Sequence, residues 1–168
     1  MVLLFQRAFQ MLRISRLTDY ATVLLAALAG EPAQLKTATA LAEHTHIAAP
    51  TVSKILKQLQ RAGLVVSTRG THGGYQLARP PAQISAAAIL DALEGPVTLT
   101  DCAAGEGHCD IEHTCQVARV WQRLNLAIRR SLHEVTLAQL AGIDAAPARF
   151  PALEREMRAA TGRPPVRP

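Results

Sequence analysis

Between residues 50 and 77 an amphipathic run meets two β-prone runs around the connector Arg69-Gly70-Thr71-His72-Gly73-Gly74, half of it glycine. No regular element passes through such a connector. Glycines this dense supply the positive φ angles of a hairpin tip, so Leu64–Thr68 and Tyr75–Leu77 read as its two strands. Ahead of them, Val52, Ile55, Leu56 and Leu59 recur at helical steps, which predicts a helix over 50–62. Pro50 suits its first turn, and Gly63 ends it.

Upstream, residues 18–29 read as a helix. Thr18 is its expected cap, Asp19 favours its positive end, and Tyr20, Val23, Leu24, Ala27 and Leu28 share a face. Gly30 and Pro32 stop it. A second helix is expected over 34–44 with Leu35, Ala38, Leu41 and Ala42 inward, followed by the tight break HTHIAA. Helix, helix, turn, helix and hairpin make a winged helix-turn-helix, with 34–44 as the supporting helix and 50–62 as the recognition helix. The fold class is thus mainly α, with a small β-hairpin wing. Apolar residues make up 49% and aromatics only 4%, so the core must be built from Leu, Ile, Val and Ala.

Beyond the stiff connector Arg79-Pro80-Pro81, Ser85 caps a helix over 86–94, with Ile84 and Ile89 as a hydrophobic staple. Gly95-Pro96 closes it. Residues 115–133 form the longest periodic segment, with Val117, Val120, Trp121, Leu124, Ile128 and Leu132 on one stripe. That helix exceeds what a small winged-helix core needs. Its stripe either folds onto its own core or packs on a second subunit as a long C-terminal dimerisation helix. The expected plan is an N-terminal extension over 1–11, with Met11 an alternative start, and a DNA-binding domain over 12–81. A sensor loop with dimerisation helices follows over 82–143, then a peripheral tail over 144–168.

Charge divides the chain as well. Residues 1–80 carry nine Lys/Arg against three Asp/Glu, and residues 81–135 carry four against seven. A basic first half joined to an acidic middle points the first half at a polyanion. No window approaches the ~18 unbroken apolar residues of a membrane helix. Arg7 interrupts the first apolar run and no A-x-A site follows it, so a secretory leader is not expected and the working compartment is the cytoplasm. There is no Cys–His–Asn order, phosphate loop or pair of carboxylates on one helix face, so the chain does not read as an enzyme.

On helix 50–62 the residues outside the apolar stripe are Thr51, Ser53, Lys54, Lys57, Gln58 and Arg61. Thr51, Ser53 and Lys54 lie near the N-terminus, the part of a recognition helix that meets base edges. Lys57 and Arg61 are placed for phosphates, which set affinity and register. Arg69, at the start of the wing tip beside Thr71 and His72, suits a narrow A·T-rich minor groove. Double-stranded DNA is the expected partner.

All three cysteines fall within residues 101–115, DCAAGEGHCDIEHTC, beside four acidic residues, two histidines and two glycines. Their spacings are not those of C-x-x-C zinc or redox pairs. A Cys₃His zinc site using His108 or His113, an iron–sulfur cluster, and a redox thiol pair all remain open on spacing.

The combination of LTDYATVLLAAL, IAAPTVSKILKQLQRAGLV, VSTRGTHGGYQLARP, ISAAAILDALEG, the three-cysteine loop, Trp121 and VTLAQLAG resembles the Rrf-type winged-helix regulators, which include IscR-like and NsrR-like members. The resemblance covers about residues 12–142 and is greatest to regulators of the SUF iron–sulfur assembly operon. It implies a homodimer on a palindromic operator, with a cluster in each subunit held by Cys102, Cys109 and Cys115. Residues 49–54, from Ala49 and Pro50 to Lys54, would occupy the family's base-reading turn, and Arg69 its wing arginine. IscR-like members place a histidine three residues after the last cysteine, where this chain has Ala118. Asp19, the position from which NsrR-like members donate a carboxylate across the dimer, and His113 are the candidate fourth ligands, followed by Glu112 and His108. The SUF resemblance favours 2Fe–2S over 4Fe–4S. The function implied is a transcriptional regulator sensing cluster or redox status. The alternatives are a zinc-stabilised regulator and a nitric-oxide- or redox-sensing repressor of the same family.

Overall fold

The computed structural model describes residues 14–103 and 115–144. Its helices are α1 (Arg16–Ala29), α2 (Ala38–Thr45), α3 (Ala49–Arg61), α4 (Ala86–Glu94), α5 (Ala118–Glu134) and α6 (Leu137–Leu140). Its one hairpin joins β1 (Val65–Thr68) to β2 (Gly74–Leu77), and short 3₁₀ turns lie at Pro81–Gln83 and Asp101–Ala103.

The stripe predicted on the third helix is the centre of the core: Val52, Ile55, Leu56 and Leu59 are all fully buried. At ~1.5–3 kcal/mol for each large side chain removed from water, this is the strongest local contribution to holding α3 in place. Around it sit Ala21, Leu24, Leu25 and Leu28 of α1, Leu41 of α2, and Leu64, Val65 and Leu77 of the hairpin. Ile84, Ile89 and Leu137 belong to the same cluster, so α4 and α6 close the core from the C-terminal side.

Several boundaries shift from the sequence expectation. α1 starts two residues early, and its cap is Ser15, whose Oγ accepts from the Thr18 N–H at 3.2 Å. Thr18 is instead buried, and its hydroxyl donates to Glu94 at the end of α4. Val23 points outward at 42% exposure, while Ala21 and Leu25 take the inner face. α2 begins at Ala38, capped by Thr37, because the preceding residues do other work. The Lys36 N–H donates to the Tyr75 carbonyl at 3.0 Å, and the Tyr75 N–H returns a bond to the Lys36 carbonyl at 2.8 Å. Leu35 and Lys36 therefore lie in extended chain against the wing, and Leu35 is only half-buried.

The wing pairs Val65 with Leu77 through to Thr68 with Gly74. A Cβ at Gly74 would lie 2.9 Å from the Lys36 carbonyl oxygen, so the bridge to Lys36 admits only glycine there. At the tip, Gly70 takes φ 116°, and a Cβ at Gly73 would lie 2.3 Å from the Thr68 carbonyl oxygen. α4 and its Ser85 cap stand where expected, and Ile84 and Ile89 are both buried.

Glu94 ties the end of α4 to the start of α1. Its Oε1 accepts from the Thr18 hydroxyl and from the Ser15 N–H at 2.9 Å, at the positive end of α1. These bonds, led by that from Thr18, hold its carboxyl below the usual 4.5. A carboxyl with a depressed pKa stabilises the fold above its unfolded value and loses that contribution as pH falls through its folded value. Glu94→Gln should therefore lower the melting temperature at pH 7, and the difference from wild type should shrink as pH drops through and below 4.5. Thermal melts across that range check this; a gap independent of pH would contradict the assignment.

Candidate nucleic-acid interface and sensor segment

α3 is inserted by its apolar stripe, so its opposite face is turned to solvent. Ala49, Pro50, Lys54, Lys57 and Arg61 are exposed there, with Thr51 and Ser53 half-buried beside them. Lys54, Lys57 and Arg61 follow at steps of three and four, a single basic row along the helix. Arg69, Thr71 and His72 are exposed at the hairpin tip. One bond that residue order does not reveal ties these two surfaces: Gln60 Nε2 of α3 donates to Ser67 Oγ of β1 at 2.9 Å. Together with the Lys36–Tyr75 bridge it fixes the root of the wing relative to the helix.

Cys102 and Cys115 of the three-cysteine segment lie among the described residues. Cys102 lies in the 3₁₀ turn Asp101–Ala103, which packs on α5. Cys115 is a free, half-buried thiol three residues before α5 begins. Cys109, His108, Glu112 and His113 lie outside the described residues. Asp19 is exposed in the first turn of α1. Among the described residues no three His, Cys, Asp or Glu side chains gather closely enough to hold a metal. Ala118, three residues after the last cysteine, is buried in the first turn of α5 at 4% exposure.

α5 itself runs Ala118–Glu134, three residues later at its start than the periodicity predicts. Its expected stripe is divided. Val120 and Trp121 are 67% and 41% exposed, and Val117, Leu124 and Leu126 are also on the surface, while Ile128 and Leu132 are half-buried. The fully buried residues of the helix are small or polar: Ala118, Asn125, Ala127 and Ser131. Asn125 Oδ1 accepts from the Leu99 N–H at 3.2 Å, pinning the chain just ahead of Cys102 to α5. Arg129 pairs with Asp91 of α4 at 3.3 Å. Asn125 was missed because a single polar residue in a helical pattern carries no sequence signal of burial.

No helix among the described residues is long and apolar enough to cross a membrane. A family described as "Rrf2: Iron-dependent Transcriptional regulator" matches residues 14–142. The NsrR transcriptional regulator of Oceanobacillus iheyensis is 30% identical over 131 residues, 77% of this chain and 89% of that protein. Curated relatives at 35–36% identity match over 66–68% of their own length. Among solved structures, CymR, the global cysteine regulator of B. subtilis, superposes with a TM-score of 0.64 at 27% identity, covering 80% of this chain and 99% of CymR. T. potens IscR superposes with a TM-score of 0.58 at 26% identity, covering 80% and 90%. The basic recognition helix, the clamped wing and the family match over residues 14–142 lead to one conclusion: the chain belongs to the Rrf2 family of transcriptional regulators.

Proposed function

We propose that this Rrf2-type regulator works in the cytoplasm as a homodimer. It binds palindromic operator DNA with an affinity set by an iron–sulfur cluster, and it controls iron–sulfur assembly genes of the SUF type. The observation that carries the DNA part is the exposed row Lys54, Lys57 and Arg61 beside Arg69 on a wing tied to the same helix. Lys54, with Ser53 and Thr51, reads base edges, Lys57 and Arg61 hold phosphates, and Arg69, flanked by Thr71 and His72, enters the minor groove.

The dimer reading rests on α5. Val117, Val120, Trp121 and Leu124 are exposed on the N-terminal half of the same stripe whose later residues, Ile128 and Leu132, are half-buried, and an exposed apolar stretch of that kind is what a helix shared between subunits needs.

The donor chemistry fits a cluster. Cys102, Cys109 and Cys115 supply thiolates, with Cys115 free and half-buried and the Cys102 turn packed on α5. Asp19 and His113 are the proposed fourth ligands, and 2Fe–2S is the favoured type over 4Fe–4S. When bound, the cluster supplies an oxygen- and redox-labile cross-link among these side chains. The protein's part is mechanical: Asn125 holds Leu99 to α5, so the segment leading to Cys102 and the helix move together. α5 in turn carries the partner's half-site reader to its spacing.

Protein prepared without oxygen should be coloured and hold iron and acid-labile sulfide in equal amounts, with visible absorption that fades in air. A colourless protein holding zinc at one per chain would establish the zinc-stabilised alternative. Arg69→Ala should weaken operator binding by about tenfold and reduce the slope of log K against log salt by about one for each wing. Fluorescence-anisotropy titrations at several salt concentrations check this, and an unchanged slope would remove Arg69 from the interface.

A further inference from the structure

We infer that the tip of α3 selects operators by the 5-methyl groups of thymine, with Ala48, Ala49 and Pro50 as the contacting surface. This rests on the DNA-binding reading above and adds to it the base feature that is read.

The tip of α3 is built unlike an anion site. α1, α2, α4 and α6 each begin with a hydroxyl that accepts a backbone N–H, from Ser15, Thr37, Ser85 and Thr136. α3 begins at Ala48 with no side-chain cap. Substituting such a cap by alanine ordinarily weakens a helix, so the exposed residues here are kept apolar against local stability. Backbone donors are scarce as well. Pro50 has none, and the N–H groups of Thr51 and Val52 both donate to the Ala48 carbonyl, at 2.9 and 3.1 Å. That leaves the Ala49 N–H as the one donor of the first turn without an acceptor among the described residues. A phosphate would find little to hold here.

What the tip offers is carbon: two methyl groups and a pyrrolidine ring, all exposed. Its alignment gives the second observation. Pro50 stands at steps of four, three and four with Lys54, Lys57 and Arg61, so it heads the same row that carries the exposed basic side chains. A row whose rear grips phosphates places its head against base edges in the major groove. The apolar group on those edges is the thymine methyl, and alanine is a side chain that packs on it. The tip thus reads by contact and desolvation where Lys54, one turn later, reads by hydrogen bonding.

The test needs no change to the protein. Operators are selected from a random duplex pool with the full chain prepared without oxygen. Each dT in the strongest operator is then replaced by dU, which removes the methyl alone, and affinity is measured again. At least one dT in each half-site should weaken binding about threefold to tenfold on replacement, with other positions silent. Sequence-specific binding that tolerates dU everywhere, or half-sites with no thymine, would overturn the inference and leave the DNA-binding reading standing. Failure to select any sequence would overturn both.

Discussion

The burial of one face of α3 is the interaction on which the rest of this molecule depends. Val52, Ile55, Leu56 and Leu59 are completely enclosed by α1, α2 and the hairpin, and together they outweigh any polar contact the structure contains. Because that face is sealed, the basic row Lys54, Lys57 and Arg61 has one direction left to point. The wing is then aligned to it by backbone and side chain, through Lys36 and Tyr75 on one side and Gln60 and Ser67 on the other. The exposed basic surface is the consequence of a buried hydrophobic one.

α5 shows the reverse balance. The ion pair Arg129–Asp91 is about a third exposed on both sides, which limits it to ~0–1 kcal/mol. Its buried contacts are alanines, a serine and Asn125, none of which removes much apolar surface from water. Ile128 and Leu132 are only half-buried, and the apolar residues of its N-terminal half are exposed. A helix held so lightly by its own chain takes its position from what covers its outer face and from the segment bonded to Asn125. Under the proposed function the cysteine segment and the dimer interface would meet on α5, and a change at the thiols would reach the spacing of the recognition helices through it.

Much of this was legible in residue order. The apolar stripe of α3, the glycines of the wing tip and the Ser85 cap with its isoleucine staple are local patterns with local causes, and each stands in the fold where its pattern placed it. The misreadings came from partners distant in sequence. Thr18 looked like a cap, but Glu94, far along the chain, takes its hydroxyl and leaves the cap to Ser15. Residues 34–37 looked helical, but Tyr75 draws Lys36 into an extended bridge. The stripe of α5 was visible, yet periodicity alone does not say whether a face meets its own core or another surface. For the three-cysteine segment the thiols and their neighbours are legible in residue order, and the structure adds Asn125, which holds the Leu99 backbone just ahead of Cys102 to the helix.

The central claim is that the state of the three-cysteine segment is transmitted to the DNA-reading face. Its most direct measurement is an anaerobic titration of one selected operator with a single protein preparation, before and after the cluster is removed by chelation, with the oligomeric state followed by light scattering in both arms. The account predicts that the protein stays dimeric while its operator affinity changes by at least tenfold. Equal affinity and an equal salt slope in the two arms, with cluster loss verified by iron and sulfide content, would contradict it.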